Sequence, residues 1–149
     1  MSTVLRSSSF SVLTLTGLIL VAVLAGVACG SPAAVSTREV TLWKPMGAWS
    51  GRGVMQTEAF ISTTGTLRVQ WETRNEDAAG KGAFSVILHS GVSGRSLASV
   101  VEHHGVGRDT AYVSEDPREF FLVVDASHLD WSVTVDEGVA ATIPDTGRR

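Results

Sequence analysis

The chain contains serine, histidine and aspartate residues of the kinds that form hydrolytic sites. Ser50, the adjacent pair His103 and His104, and Asp109 are the candidates. Such a set can activate a hydroxyl nucleophile when folding brings the side chains together. Ser50 does not lie in a G-x-S-x-G motif, and no helical pattern follows it to form a nucleophile elbow. A small envelope hydrolase or metal-dependent enzyme centred on His103, His104 and Asp109 is therefore the alternative function.

The adjacent histidines also raise the question of a metal site. Neighbouring residues in a strand point to opposite faces of the sheet, so two such imidazoles do not readily share one ion. A zinc site needs three or four ligands, and the sequence has no H-x-H or H-x-x-x-H motif and no cysteine near the pair. We therefore predict no catalytic residues, no metal and no cofactor.

Two tryptophans and an arginine lie close together in a segment rich in glycine and proline. Trp43 and Trp49 flank Pro45, and Arg52 follows between two glycines. Proline removes a backbone donor and glycine permits unusual backbone angles, so the pattern predicts a loop from Trp43 to Gly53. An indole can stack on a sugar face, and a cation beside it adds a charged contact. Trp43, Trp49 and Arg52 are the candidate ligand contacts, the alternative being that each tryptophan covers one end of the core.

The elements that must position these residues have the period of β-strands. In 66–74 the apolar residues alternate with polar ones, and 131–135 repeats the pattern around Trp131. Noisier strands are predicted at 56–62, 84–90, 96–103 and 109–114, and an apolar strand at 119–125. No segment keeps a helical period over three turns. The prediction is an all-β fold, an antiparallel β-sandwich of jelly-roll type with about seven or eight strands, and Trp71 and Trp131 are assigned to its core.

The sequence divides into four segments. Residues 1–28 are predicted to be an export leader, 29–37 a flexible tether, 38–138 the sandwich domain and 139–149 a disordered tail. The leader has Arg6 near its start and then an uncharged apolar run from Phe10 to Ala28. That run is also long enough to span a bilayer as a retained helix. Cleavage before the cysteine, cleavage elsewhere and retention of the helix are all left open.

The end of the leader resembles the lipobox of bacterial lipoproteins. The string from Leu24 to Gly30 reads LAGVACG, with small Ala28 directly before Cys29, the sole cysteine of the chain. In that family the cysteine is modified with fatty acids such as palmitate and becomes the first residue of the mature protein. The departure is Gly26, where the family usually has leucine. The resemblance implies lipidation at Cys29 and a membrane anchor on the extracytoplasmic side, and secretion is the alternative.

The spacing of aromatic residues and glycines after the tether resembles that of small exported β-sandwich modules of the CUB and GOLD type. The residues that carry this resemblance are Trp49, Gly51, Gly53, Phe60, Trp71, Phe84, Tyr112, Phe121 and Trp131. They include no functional motif, so no functional residue is transferred. With a net charge of −3, the chain does not have the excess of basic residues that is typical of a nucleic-acid binder. The leading hypothesis is a non-enzymatic, membrane-tethered binding or structural module of the cell envelope, with an envelope protein or a glycan as its partner.

Overall fold

Alternation of buried and outward side chains builds two facing sheets. The computed structural model describes residues 36–145, and these residues contain no helix. Their nine strands are β1 (Thr37–Arg52), β2 (Met55–Gln56), β3 (Phe60–Ser62), β4 (Thr66–Arg74), β5 (Ala83–Ser90), β6 (Ser96–His104), β7 (Gly107–Ser114), β8 (Arg118–Ser127) and β9 (Asp130–Pro144). All paired strands are antiparallel. The predicted all-β antiparallel sandwich is confirmed.

The strand order is that of a jelly roll. Sheet A has the order β1-β9-β4-β7, and sheet B has the order β2-β8-β5-β6 with β3 also paired to β8. After β3 the chain passes between the sheets five times, so strands that are neighbours in a sheet are often distant in sequence. This pattern is the double Greek key that defines the jelly roll.

The core lies between the two sheets and is formed by every second residue of the central strands. Trp131, which is 2% exposed, lies at one end of it, and its indole Nε1 donates to the backbone oxygen of Gly53 at 3.1 Å. Trp71 packs against Phe84 with 5.5 Å between ring centroids. The prediction that Trp71 and Trp131 are core residues is confirmed.

The first strand corrects the predicted loop. Residues 43–52 lie within β1, which pairs with β9 over its whole length. The register shifts between Pro45 and Gly47, which leaves Met46 as the extra residue of a β-bulge. Strand β1 is also an edge strand of sheet A. Proline is tolerated at edges and bulges, so the residues that suggested a loop mark an irregular edge strand instead.

The last strand corrects the predicted tail. Strand β9 continues through Pro144, where the sequence predicted disorder from residue 139. Residues 139–144 pair with residues 37–42 of β1. The two strand ends form a ribbon that projects beyond β4, and the backbone N–H of Asp145 donates to the oxygen of Ser36 at 2.7 Å. Because this ribbon has no third strand and buries little, its sequence does not carry the alternation of a sandwich strand.

A buried carboxylate joins the two sheets. Glu137 of β9 is 1% exposed and accepts hydrogen bonds from the turn after β3. Ser62 Oγ donates at 2.9 Å and the backbone N–H of Thr64 at 2.9 Å, while Thr63 donates through its backbone N–H and through Oγ1 at 3.0 Å. Burial alone would raise the pKa of Glu137, but these hydrogen bonds to the charged form outweigh it and lower the pKa from 4.5 to about 2. Glu137 is therefore ionised at neutral pH and stabilises the turn that links the sheets.

Candidate ligand-binding surface

An aromatic and cationic cluster lies on the outer face of sheet A. Trp43 of β1 pairs with Gly138 of β9, and a Cβ at position 138 would come within 3.1 Å of the indole. The indole thus has room on the outer face of sheet A because position 138 carries no side chain. It reaches Tyr112 of β7, with 5.7 Å between ring centroids, and the guanidinium of Arg68 lies 4.6 Å from the Trp43 ring centroid. We call Trp43, Arg68 and Tyr112 the aromatic cluster.

The arginine of the aromatic cluster is held in place by an ion pair. Arg68 Nε and Nη2 both donate to Asp136 Oδ2, at 3.0 and 2.8 Å. Asp136 is 8% exposed, so this pair is shielded more than a surface ion pair. Tyr112 is 66% exposed. The aromatic cluster is therefore a fixed platform with an aromatic ring open to solvent.

A trough lined mainly by polar side chains crosses sheet A beside the aromatic cluster. The register places two rows of outward residues across its four strands. The first row is Ala48, Thr134, Gln70 and Thr110, and the second is Ser50, Ser132, Glu72 and Arg108. Two open cavities of about 350 and 460 Å³ lie along it and share Gln70 and Thr134 in their linings. We call these two rows the trough.

Beyond the trough, Arg52 belongs to a network that connects three chain segments. It forms ion pairs with Asp77 and Asp130, each at 3.1 Å, and donates to the backbone oxygen of Asn75 at 3.2 Å. His128 Nδ1 lies 2.7 Å from Asp77 Oδ1. Asn75 and His128 both have positive φ, at 54° and 60°. The structure thus gives Arg52, a predicted ligand contact, several protein partners of its own.

Trp49, the other predicted contact, lies on the opposite side of β1 from Trp43. It packs against Phe60 of sheet B, with 6.0 Å between ring centroids, and its Nε1 donates to Glu58 Oε2 at 2.6 Å. That hydrogen bond, with one from the backbone, lowers the pKa of Glu58 below its usual 4.5. Trp43, Trp49 and Arg52 are therefore not brought together, and Trp49 borders the core.

Within residues 36–145, no hydrogen bond joins the residues of the alternative enzyme hypothesis to one another. His103 points inward, with its ring 4.7 Å from that of Trp71 and its Nε2 buried without a hydrogen-bond partner. His104 is exposed on the other face of β6, and Asp109 and Ser50 lie in sheet A. Within the part of the chain that the structure describes, no three His, Cys, Asp or Glu side chains are grouped so that they could hold a metal ion.

Sequence reasoning did not identify Arg68, Gln70 and Tyr112 as candidate ligand contacts. Arg68 and Gln70 were assigned to the polar side of a predicted strand, and that alternation was the available signal. For Tyr112 the sequence offered no comparable signal, because apolar and polar residues alternate irregularly in 109–114. The proximity of Tyr112 to Trp43 depends on β1 and β7 belonging to one sheet.

Cys29, the predicted lipidation site, lies outside the described residues. Residues 36–145 contain no helical segment with the length and hydropathy that a membrane crossing needs. No protein-family model matches the chain, and no curated protein matches it at a significant level.

Proposed function

We propose that this protein is a non-enzymatic binding module of the cell envelope, tethered to a membrane through lipid on Cys29. The lipobox-like string before Cys29 supports the tether. A diacylated cysteine provides firm anchoring, because each buried methylene contributes ~0.8 kcal/mol. The six paired residues of each strand in the β1–β9 ribbon span ~20 Å between the sandwich and Thr37, the strand residue nearest to Cys29 in sequence.

The ligand surface of this module is the outer face of sheet A. The observation that carries this proposal is the aromatic cluster, in which Trp43 and Arg68 hold a solvent-facing Tyr112 ring on rigid strands. Aromatic residues and arginine are the side chains that contribute most to binding hot spots. The trough beside the cluster gives a ligand a concave surface with hydrogen-bonding groups.

The test measures how strongly the full chain, purified in detergent, is retained on immobilised bacterial envelope material. It compares the wild type with two variants. Tyr112→Ala removes the exposed ring, and Val92→Ala is the matched control because it removes an apolar side chain that is more exposed and lies in the β5–β6 turn. We expect Tyr112→Ala to reduce retention about tenfold, as for an interface contact of moderate strength, and Val92→Ala to leave it unchanged. Equal retention of the Tyr112→Ala and wild-type chains would exclude the outer face of sheet A as the ligand surface.

A further inference from the structure

The two rows that form the trough are polar and carry no net charge, and Asp109 adds one acidic group to the lining of one of its cavities. Most side chains of the two rows are hydroxyls, a carboxamide and a methyl group. Their two charged residues, Glu72 and Arg108, have opposite sign and face each other in the register of β4 and β7. The charge of Arg68 at the border of the trough is matched by Asp136. This near balance of charge favours an uncharged ligand that is rich in hydrogen-bonding groups over an anionic one.

The position of the trough on a sheet face argues against a peptide as that ligand. An extended peptide binds by adding a strand to a sheet edge, where free backbone groups offer a ladder of hydrogen bonds. Across the trough, the backbone groups of β9 and β4 are engaged with strands on both sides. Only side chains can recognise a ligand here, and they are hydroxyl, carboxamide and aromatic groups.

The shape of the trough suits a chain rather than a single small molecule. It crosses four strands, which at ~4.8 Å per strand spacing gives a length of ~14 Å between the outer strands. It runs from Ala48 on edge strand β1 to Thr110 on edge strand β7, so it is open at both ends in the part of sheet A that the structure describes. A polymer can therefore enter and leave across the two edges.

We propose that the trough binds a neutral glycan chain that lies across the strands. One sugar ring places its C–H face against the exposed ring of Tyr112, where an aromatic surface excludes water from it. The hydroxyls of the chain exchange hydrogen bonds with Gln70, Thr134 and Ser132. This inference rests on the proposed function, because it identifies the ligand class of the same surface.

The test is affinity electrophoresis of the full chain in detergent, through gels that each contain one purified polysaccharide. The measured quantity is the retardation of the protein by that polysaccharide. The neutral probes are α-glucan, β-glucan, mannan, galactan, arabinan and polymeric N-acetylglucosamine, and the charged probes are polygalacturonate and heparin. We expect retardation by at least one neutral polysaccharide and none by the charged ones. Gln70→Ala should weaken the affinity for that polysaccharide at least fivefold, whereas Gln56→Ala, which changes the same side chain on exposed β2, should leave it within twofold.

The possible results separate this inference from the proposed function. Absence of retardation by every neutral polysaccharide overturns the glycan inference, as does equal weakening by Gln70→Ala and Gln56→Ala. If Tyr112→Ala still reduces retention on envelope material about tenfold in that case, the binding surface stands and its ligand is of another class. If no neutral polysaccharide retards the chain and Tyr112→Ala also leaves retention on envelope material unchanged, both proposals fail.

Discussion

Replacement of the buried carboxylate of Glu137 by a neutral amide tests how the two sheets are joined. Glu137→Gln keeps the size of the side chain and one acceptor oxygen but removes the charge that receives hydrogen bonds from Ser62, Thr63 and Thr64. The folded-state pKa of about 2 lies well below the ordinary value of 4.5. Each unit of pKa difference corresponds to ~1.4 kcal/mol, so ionised Glu137 contributes about 3 kcal/mol to the free energy of unfolding at pH 7.

The dependence on pH follows from the direction of this shift. Because the pKa of Glu137 is lower in the folded state, its contribution is fully present above pH 4.5 and is lost as the pH falls from 4.5 towards 2. We therefore expect Glu137→Gln to be destabilised by about 3 kcal/mol at pH 7, in the range expected for loss of buried charged hydrogen bonds. The difference from the wild type should shrink towards zero near pH 2.

Urea denaturation of residues 30–149, followed by tryptophan fluorescence from pH 2 to 7, measures this difference. Buried Trp71 and Trp131 report the loss of the core. The matched control is Glu39→Gln, which neutralises an exposed glutamate on β1 and should change the free energy of unfolding by less than ~0.5 kcal/mol. Equal stability of Glu137→Gln and wild type at pH 7 would refute the role of the charge. A destabilisation that persists undiminished at pH 2 would assign the effect to packing.

Two further predictions concern the core and the anchor. Trp131→Ala should lower the free energy of unfolding by ~3–5 kcal/mol through lost burial and a residual cavity. His104→Ala, at an exposed position, should change it by less than ~0.5 kcal/mol. A cost below ~1 kcal/mol for Trp131→Ala in urea denaturation would contradict its core assignment. Cys29→Ala should abolish labelling by radioactive palmitate and leave an unprocessed precursor, because only the thiol can accept the lipid. If processing and membrane retention of that variant in cell fractions were unchanged, the lipid anchor would be refuted. Secretion or a retained helix would then remain as the alternatives.

The sequence alone determined the fold class and much of the core. Alternation in 66–74 and in 131–135 assigned Trp71 and Trp131 to the interior, and the structure buries both. This inference succeeds because side-chain direction in a strand has a period of two, so a local pattern reports burial directly. It also assigned His103 and His104 to opposite faces of a strand, and the structure separates them in this way.

The sequence could not show which of Trp43 and Trp49 lies on the candidate surface, because a single extra residue in strand β1 decides it. Trp43 and Trp49 are an even number of positions apart and would share a face in a regular strand. The bulge at Met46 adds one residue and reverses the alternation, so Trp43 lies on the outer face of sheet A and Trp49 borders the core. A bulge depends on the register with a partner strand, here β9, which lies far along the chain.

Tertiary structure alone also decided which residues accompany Trp43. Arg68 and Tyr112 come from β4 and β7, and the jelly-roll strand order brings them beside β1 although they are distant in sequence. The ribbon of residues 139–144 depends in the same way on pairing with residues 37–42. Local patterns record which side of a strand is buried. The register and strand order that assemble a surface arise from contacts between distant segments, which no local pattern records.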